Sequence, residues 1–461
     1  MVVRPNNDGA MPAVKQCLRS SVIGLTAALF VACGDAPSPQ ALPTTLTAEV
    51  VIHCGTLIDG ISDKPLIDQV ILVDQARIRS VVSADQLGVS ATEEGAHIDL
   101  REFTCLPGLI NTHVHFDGNP EDSVDYSIYA RRTAAENLAL VLANAKTTLL
   151  TGFTTVRHVG AWFPNAVYQA RDKIRAGEAI GPRILTAGPY LTIPGGGGDL
   201  TFPEIPVDQI PPESQLGIAS TSQQFAQRAE AAIAGGADFL KVIASGAVFS
   251  LGTDPGAPEM SQADIAAVVK VAKQYDKQVT AHVHSDQSGR DAILAGVDSL
   301  EHASLLDDAT IALAHQRGVA LSMDIYNGTY TDTIGRSQGY PEIFLQRNTQ
   351  TTEAQRAVFK KAYAAGVTLL YGTDAAVLPH TMGGWQFATM IEHGMTPMEA
   401  IRSATSVAAD HLRIDADVGA VIPGRQADII AVKVDPLTDP LSLRDVDVVI
   451  QAGIVVKQPP L

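Results

Sequence analysis

The chain has 461 residues, too many for one average domain but within reach of a barrel carrying an accessory module. Hydrophobic residues make up 46% and charged residues 18%, enough apolar mass for a large core, which excludes disorder as a global description. Lys and Arg number 33 against 50 Asp and Glu, and a net charge of −17 with no basic cluster argues against a nucleic-acid surface.

Arg4, Lys15 and Arg19 precede an apolar stretch, Val22 to Ala32, that is too short to span a bilayer. Cys33 follows, then Gly34-Asp35 and a Pro/Ser/Thr-rich stretch to about Thr47. This segment resembles a bacterial lipoprotein signal, although its Leu stands one place further upstream than usual. The expectation is a signal peptide over 1–33 and a linker over 34–47. The mature protein is then exported to the bacterial cell envelope, lipid-anchored through Cys33 or, if the signal is simply cleaved, periplasmic. Met11 offers an alternative start. Two cysteines, Cys17 and Cys33, fall within the signal, so at most Cys54 and Cys105 pair in the mature chain. With no Cys-x-x-Cys pattern present, any metal site must be built from His, Asp and Lys.

From Ala48 to Ile98 short alternating strands are separated by turn residues such as Asp59-Gly60. The same style returns over Asp428–Val434 and Val446–Lys457, which predicts one small β-sandwich domain assembled from 48–106 and 415–461. The middle, 107–414, alternates strand and helix. Candidate strands are Leu109–Phe116, Thr154–Gly160, Arg183–Gly188, Phe239–Ala244, Gln278–His284, Ser299–Ser304, Ala320–Ile325 and Thr368–Asp374. Helical patterns between them include Ser222–Ala234, Ser261–Tyr275, Asp286–Ala295, Asp307–Arg317 and Thr352–Ala365. The expected class is α/β, a (β/α)8 TIM barrel. An open doubly wound sheet would need a glycine fingerprint after its first strand, and Asn111-Thr112-His113 is not one. The run Gly195–Gly198 opens no helix and reads as a loop over the barrel mouth.

His113-Val114-His115 places two imidazoles on one side of a strand, because strand side chains alternate, so both reach one metal ion. Lys241, His282, His302 and Asp374 also end apolar strands, where barrel active sites lie. Lys241 puts an ammonium inside Phe239–Ile243, which is costly unless it pairs with an acid or reacts with carbon dioxide to give an anionic carbamate. A carbamate would bridge two divalent cations. His113, His115 and Asp374 would then hold one and His282 and His302 the other, with zinc the best-suited ion. His284 shares a face with His282 and reads as a substrate contact or a further ligand, and His158 as structural or substrate-facing.

Leu106–His115, Asp238–Gly246, Ala281–His284, Asp298–Ala303, Tyr371–Ala375, Thr396–Thr405 and Pro423–Asp428 together resemble the amidohydrolase superfamily. Within it they are similar to the prolidase-like, imidazolonepropionase-related binuclear hydrolases, from about residue 48 to the end. The resemblance implies that Lys241 is N6-carboxylysine, that the metals share a hydroxide, and that the protein is a homo-oligomer. It also places a substrate-holding residue at His284. Two positions depart from the pattern: His158 stands where Asp is usual, and Gly197 or Gly198 where many relatives have His.

The expected reaction is cleavage of the amide bond of Xaa-Pro-type dipeptides or N-acyl amino acids, ochratoxin-like N-acyl-phenylalanines included. Hydroxide attacks the carbonyl, and Asp374 relays the proton to the leaving amine. Such small-molecule or dipeptide substrates carry a free carboxylate, for which Arg157, His284 and Tyr326 are candidate partners. The alternatives are a lactonase or esterase of the same superfamily, a mononuclear heterocycle deaminase, in which Lys241 would have no role, and a binding protein with a degenerate site.

Overall fold

The structure, a computed structural model, describes residues 47–86, 94–200, 205–250 and 252–458. The expected signal peptide, Cys33 and the linker up to residue 46 lie outside the described residues. No helix among those described is long and apolar enough to cross a membrane.

Four strands open the described chain: β1 (Thr47–Leu57), β2 (Leu66–Asp74), β3 (Arg77–Ser83) and β4 (Glu94–Pro107). Eight short strands follow, interleaved with helices: β5 (Leu109–Val114), β6 (Phe153–His158), β7 (Arg183–Thr186) and β8 (Leu240–Ile243), then β9 (Val279–Val283), β10 (Ser299–His302), β11 (Ala320–Ser322) and β12 (Leu369–Leu370). The chain closes with β13 (Ile429–Val432), β14 (Val448–Gln451) and β15 (Ile454–Lys457).

Strands from the two ends pair in a single seven-stranded sheet of order β15-β14-β13-β4-β1-β2-β3. Alternation along β1 and β2 sends Ile52, Cys54, Ile71 and Val73 to one apolar cluster and Ala48, Val51, Val70 and Leu72 to another. The composite sheet from both ends was legible in the sequence. The expected division into two facing sheets is not clearly shown, as hydrogen bonding links all seven strands in one order. Cys54 and Cys105 form a disulfide between β1 and β4.

The middle strands are all parallel, in a five-stranded sheet β12-β11-β10-β9-β8 and a three-stranded sheet β5-β6-β7. Bridges Val114–Ala375 and Leu191–Val242 link the two. Every residue of β5, β6, β8, β9 and β10 is buried, as parallel strands covered on both faces must be. Surrounding helices start at side-chain caps, such as the reciprocal Ser261/Asp264 box ahead of Gln262–Gln274. Gly296 and Gly318 end two others in the left-handed conformation that glycine adopts without a Cβ clash.

Several strands stop earlier than the apolar runs suggest. β10 ends at His302 with φ +65°, and Asp374 beyond β12 has φ +53°, so the backbone turns where the polar residues begin. The helix expected over Thr352–Ala365 starts ten residues earlier, at Glu342.

Candidate metal centre

The ends of these parallel strands open into one cavity whose lining holds all six expected ligands, His113, His115, Lys241, His282, His302 and Asp374, together with His284. His113 sits in β5, and His115 just beyond it is fixed by a hydrogen bond from its N–H to the Ala375 carbonyl, 2.8 Å. Asp374 Oδ1 lies 3.3 Å from His113 Nε2 and 3.4 Å from His115 Nε2. Ligand atoms of His113, His302 and Asp374 lie within 4.8 Å of one another, as do those of His282, His284 and His302. His302 is therefore common to both groups. His284, expected chiefly as a substrate contact, stands among the potential ligands, its ring stacked on His302 at 4.8 Å.

The imidazoles are oriented from behind. His113 Nδ1 is 2.8 Å from Glu301 Oε2, His115 Nδ1 is 2.8 Å from the Gly160 carbonyl, and His302 Nδ1 is 2.9 Å from Asp324 Oδ1. An acceptor at Nδ1 keeps the proton there and leaves the Nε2 lone pair free to bind a cation. Imidazoles converging with a carboxylate, each backed by an acceptor at Nδ1, are a donor set that fits a divalent metal ion, which displaces any proton on Nε2. Burial raises the Asp374 carboxyl, but His113, His115 and His302 outweigh it and hold the group well below the usual carboxylate range.

Lys241 is 1% exposed and pairs with no described carboxylate. Burial pushes its amine down to about 8, with Glu301 opposing the shift. Behind it, fully buried Glu301 accepts from Arg157 Nη2 at 2.5 Å and from the Thr280 hydroxyl.

Two expected substrate contacts are not in this cavity. Arg157 turns into the core, where its guanidinium donates to the Thr112 carbonyl (2.7 Å), Ser299 Oγ (3.0 Å) and Glu301. Tyr326 packs against Trp385, ring centroids 5.8 Å apart and planes tilted by 40°, and is absent from the cavity lining. His158 is also in the core: its Nε2 accepts the Phe116 N–H at 2.8 Å, a structural role.

Sequence reasoning missed Asp324, Glu301, Asn327 and Asp117. Asp324 closes Leu321-Ser322-Met323 just as Asp374 closes its own apolar run, so the same signal was present. Asn327 Nδ2 donates to Asp324 Oδ2 (3.2 Å) and Asp374 Oδ2 (3.4 Å), while its buried Oδ1 has no partner. Gly197 lines the cavity, as the mouth-loop reading suggested, and its N–H is held by Glu259 Oε1 at 2.9 Å.

Residues 104–456 match the amidohydrolase family, and the chain belongs to that family. It is an enzyme of the hydrolase class. It is 27% identical to ochratoxinase of Aspergillus niger over 430 residues, covering 87% of this chain and 85% of the relative. A crystal structure of a Xaa-Pro dipeptidase with methionine bound in its active site superposes with a TM-score of 0.82 at 33% identity, covering 88% of this chain and 99% of that one. The Aspergillus niger ochratoxinase structure superposes with a TM-score of 0.76 at 25% identity, covering 89% and 96%.

Proposed function

We propose that the protein is a binuclear metal-dependent amidohydrolase cleaving the amide bond of dipeptides of Xaa-Pro type or of N-acyl amino acids, including ochratoxin-like N-acyl-phenylalanines. The observation that carries this reading is Lys241: a fully buried amine in no ion pair with a described carboxylate, facing a cluster of imidazoles and Asp374. Left as an ammonium it carries a desolvation cost that the charges of Glu301, Asp374 and Asp324 only partly offset, so its pKa falls. Its lowered pKa keeps more of the amine neutral, the form that reacts with carbon dioxide to N6-carboxylysine, an anion able to bridge two cations. His113, His115 and Asp374 would hold one ion and His282 and His302 the other, zinc being best suited to this nitrogen and oxygen set.

The eight parallel strands, joined at Val114–Ala375 and Leu191–Val242, are read as a closed (β/α)8 barrel over 107–414, with the sheet of both chain ends as a companion domain.

When bound, the metals supply a Lewis acid for the carbonyl oxygen and lower the pKa of water to about 7. Asp374, ionised and tethered by Asn327, accepts the proton of the attacking water and hands it to the leaving amine nitrogen as the C–N bond breaks. Glu301 and Asp324 hold His113 and His302 in the tautomer that presents Nε2. With Arg157 and Tyr326 elsewhere, the substrate carboxylate falls to the neutral side chains His284 and Ser304, beside helix Glu342–Ala364, whose Thr352 hydroxyl is already donated to the Asn348 carbonyl. A hydrolysis screen of dipeptides and N-acyl amino acids with zinc and bicarbonate tests the reading. It predicts release of free amino acid, and no turnover of any member of the panel would refute it.

A further inference from the structure

The loops after β5, β6, β7 and β8 contribute aromatic rings to one wall of the cavity: Tyr126 and Tyr129, Trp162, Tyr190 and Phe249. The rings run outward from the metal centre in unbroken contact. Tyr190 lies 5.7 Å from His115, Trp162 lies 6.0 Å from Tyr190, and Tyr129 and Tyr126 lie 4.6 and 5.9 Å from Trp162. Tyr126 meets Phe344 at 5.8 Å, and Phe344 meets Phe249 at 5.3 Å.

Three of the four polar edges of this wall are already engaged. Trp162 Nε1 donates to the Gly198 carbonyl at 2.9 Å, Tyr126 Oη to the Phe249 carbonyl at 3.2 Å, and Tyr190 Oη lies 3.0 Å from His115 Nδ1. Beyond the Tyr129 hydroxyl, what remains for a ligand is ring surface. Among the described residues lining the cavity, Lys241 is the single Lys or Arg, and Asp117 lies beside Trp162 with its Oδ2 on the Trp162 N–H at 3.2 Å. The Arg132 guanidinium, over the Tyr129 ring at 5.3 Å, is paired with Asp122 and lies outside the cavity lining, so an anionic group in the cavity would meet the Asp117 carboxylate.

The wall is also held rigid. Arg347, 4% exposed, donates to the Ala247 carbonyl (3.1 Å), the Ser250 carbonyl and the Gly252 carbonyl (3.0 Å), and reaches Asp254 Oδ1 (3.1 Å). One buried guanidinium thus ties down the loop that carries Phe249.

We propose that this wall is the acyl subsite, and that it selects a neutral aromatic group on the carbonyl side of the scissile bond. The inference rests on the amidohydrolase reading for the identity of the bond. It adds which half of the substrate goes where: aromatic acyl group on the rings after β5 to β8, amino-acid half toward His284 and Ser304. Offset and edge-on ring contacts favour a flat aromatic partner over a small alkyl one.

The test compares N-benzoyl-L-alanine with N-acetyl-L-alanine on the zinc-loaded protein, the leaving amine being the same. The benzoyl compound is expected to have the higher kcat/KM by at least about tenfold, and Phe249→Ala and Trp162→Ala to reduce that ratio by about fivefold or more. A ratio near one in the unaltered protein, or a ratio that neither variant moves, overturns the proposal. If neither compound is hydrolysed, the wider hydrolysis panel decides the amide reading, and the subsite is judged by binding alone. Trp385 lies outside the cavity lining and is the only tryptophan besides Trp162, so a Trp385→Phe background reports Trp162 emission. Benzoate is expected to shift that emission saturably and to bind at least about tenfold more tightly than acetate. Equal affinity for the two anions overturns it.

Discussion

His113 Nδ1 and Glu301 Oε2 stand 2.8 Å apart, with both side chains sealed from solvent, and the other carboxylate oxygen of Glu301 takes the charge of Arg157. A single acid from β10 therefore orients a candidate ligand on β5 and neutralises a guanidinium on β6. Glu301→Gln should weaken zinc binding about 10- to 100-fold, the usual cost of losing such a partner. It should also lower stability by about 3 kcal/mol, because Arg157 is left as an unpaired buried charge. Chelator competition and thermal unfolding read the two effects separately.

Lys241→Ala removes the amine that would become the bridging anion. Turnover should fall by about a thousandfold or more, at least comparable to the loss of one proton-transfer group. Metal-stripped protein reconstituted with zinc should regain activity faster with bicarbonate than under carbon-dioxide-free conditions, followed as the rate of reactivation.

Acid should strip the site. Burial alone would lower the pKa of His113, but Asp374 and Glu301 outweigh it and raise it, so the metal-free fold favours the imidazolium. Zinc must then displace a proton, and affinity falls as pH drops. The Lys241 amine, pushed down to about 8, acts in the same direction, since acid protonates it and removes the nucleophile for carbon dioxide. Dialysis at pH values below 6.5, the ordinary His value, should release metal that stays bound at pH 8.

Asp374→Asn keeps the shape of the side chain but cannot accept a proton. The expected loss is about 10²- to 10⁴-fold in kcat with a smaller change in KM, read from steady-state kinetics.

Amidating the substrate carboxylate should lower kcat/KM by about tenfold or more, as charged hydrogen bonds are lost. Because the cavity lacks a guanidinium, an unchanged kcat/KM would instead move the substrate class to esters or lactones.

The parts of this site that were legible in the sequence share one property: a polar residue ends an apolar run, where its surroundings cannot hide it. His113, His115, Lys241, His302 and Asp374 all read this way. Arg157 misled as a cation available to a substrate carboxylate: its charge is met by Glu301 from a strand 144 positions away, and no local pattern reveals that. Helix Glu342–Ala364 was legible only from Thr352 onward, because Asn348 and Thr351 line the cavity and interrupt the apolar stripe that marks a buried helix. The aromatic wall was not legible. Tyr126, Trp162, Tyr190 and Phe249 come from four different loops, and only the closing together of the parallel strands makes them neighbours.

Metal analysis of the active protein, purified in the presence of zinc and bicarbonate, tests the central claim most directly. The account predicts close to two metal ions per chain, and fewer when Lys241 is replaced by Ala. Full activity with one ion or none, or two ions retained unchanged without Lys241, would contradict it.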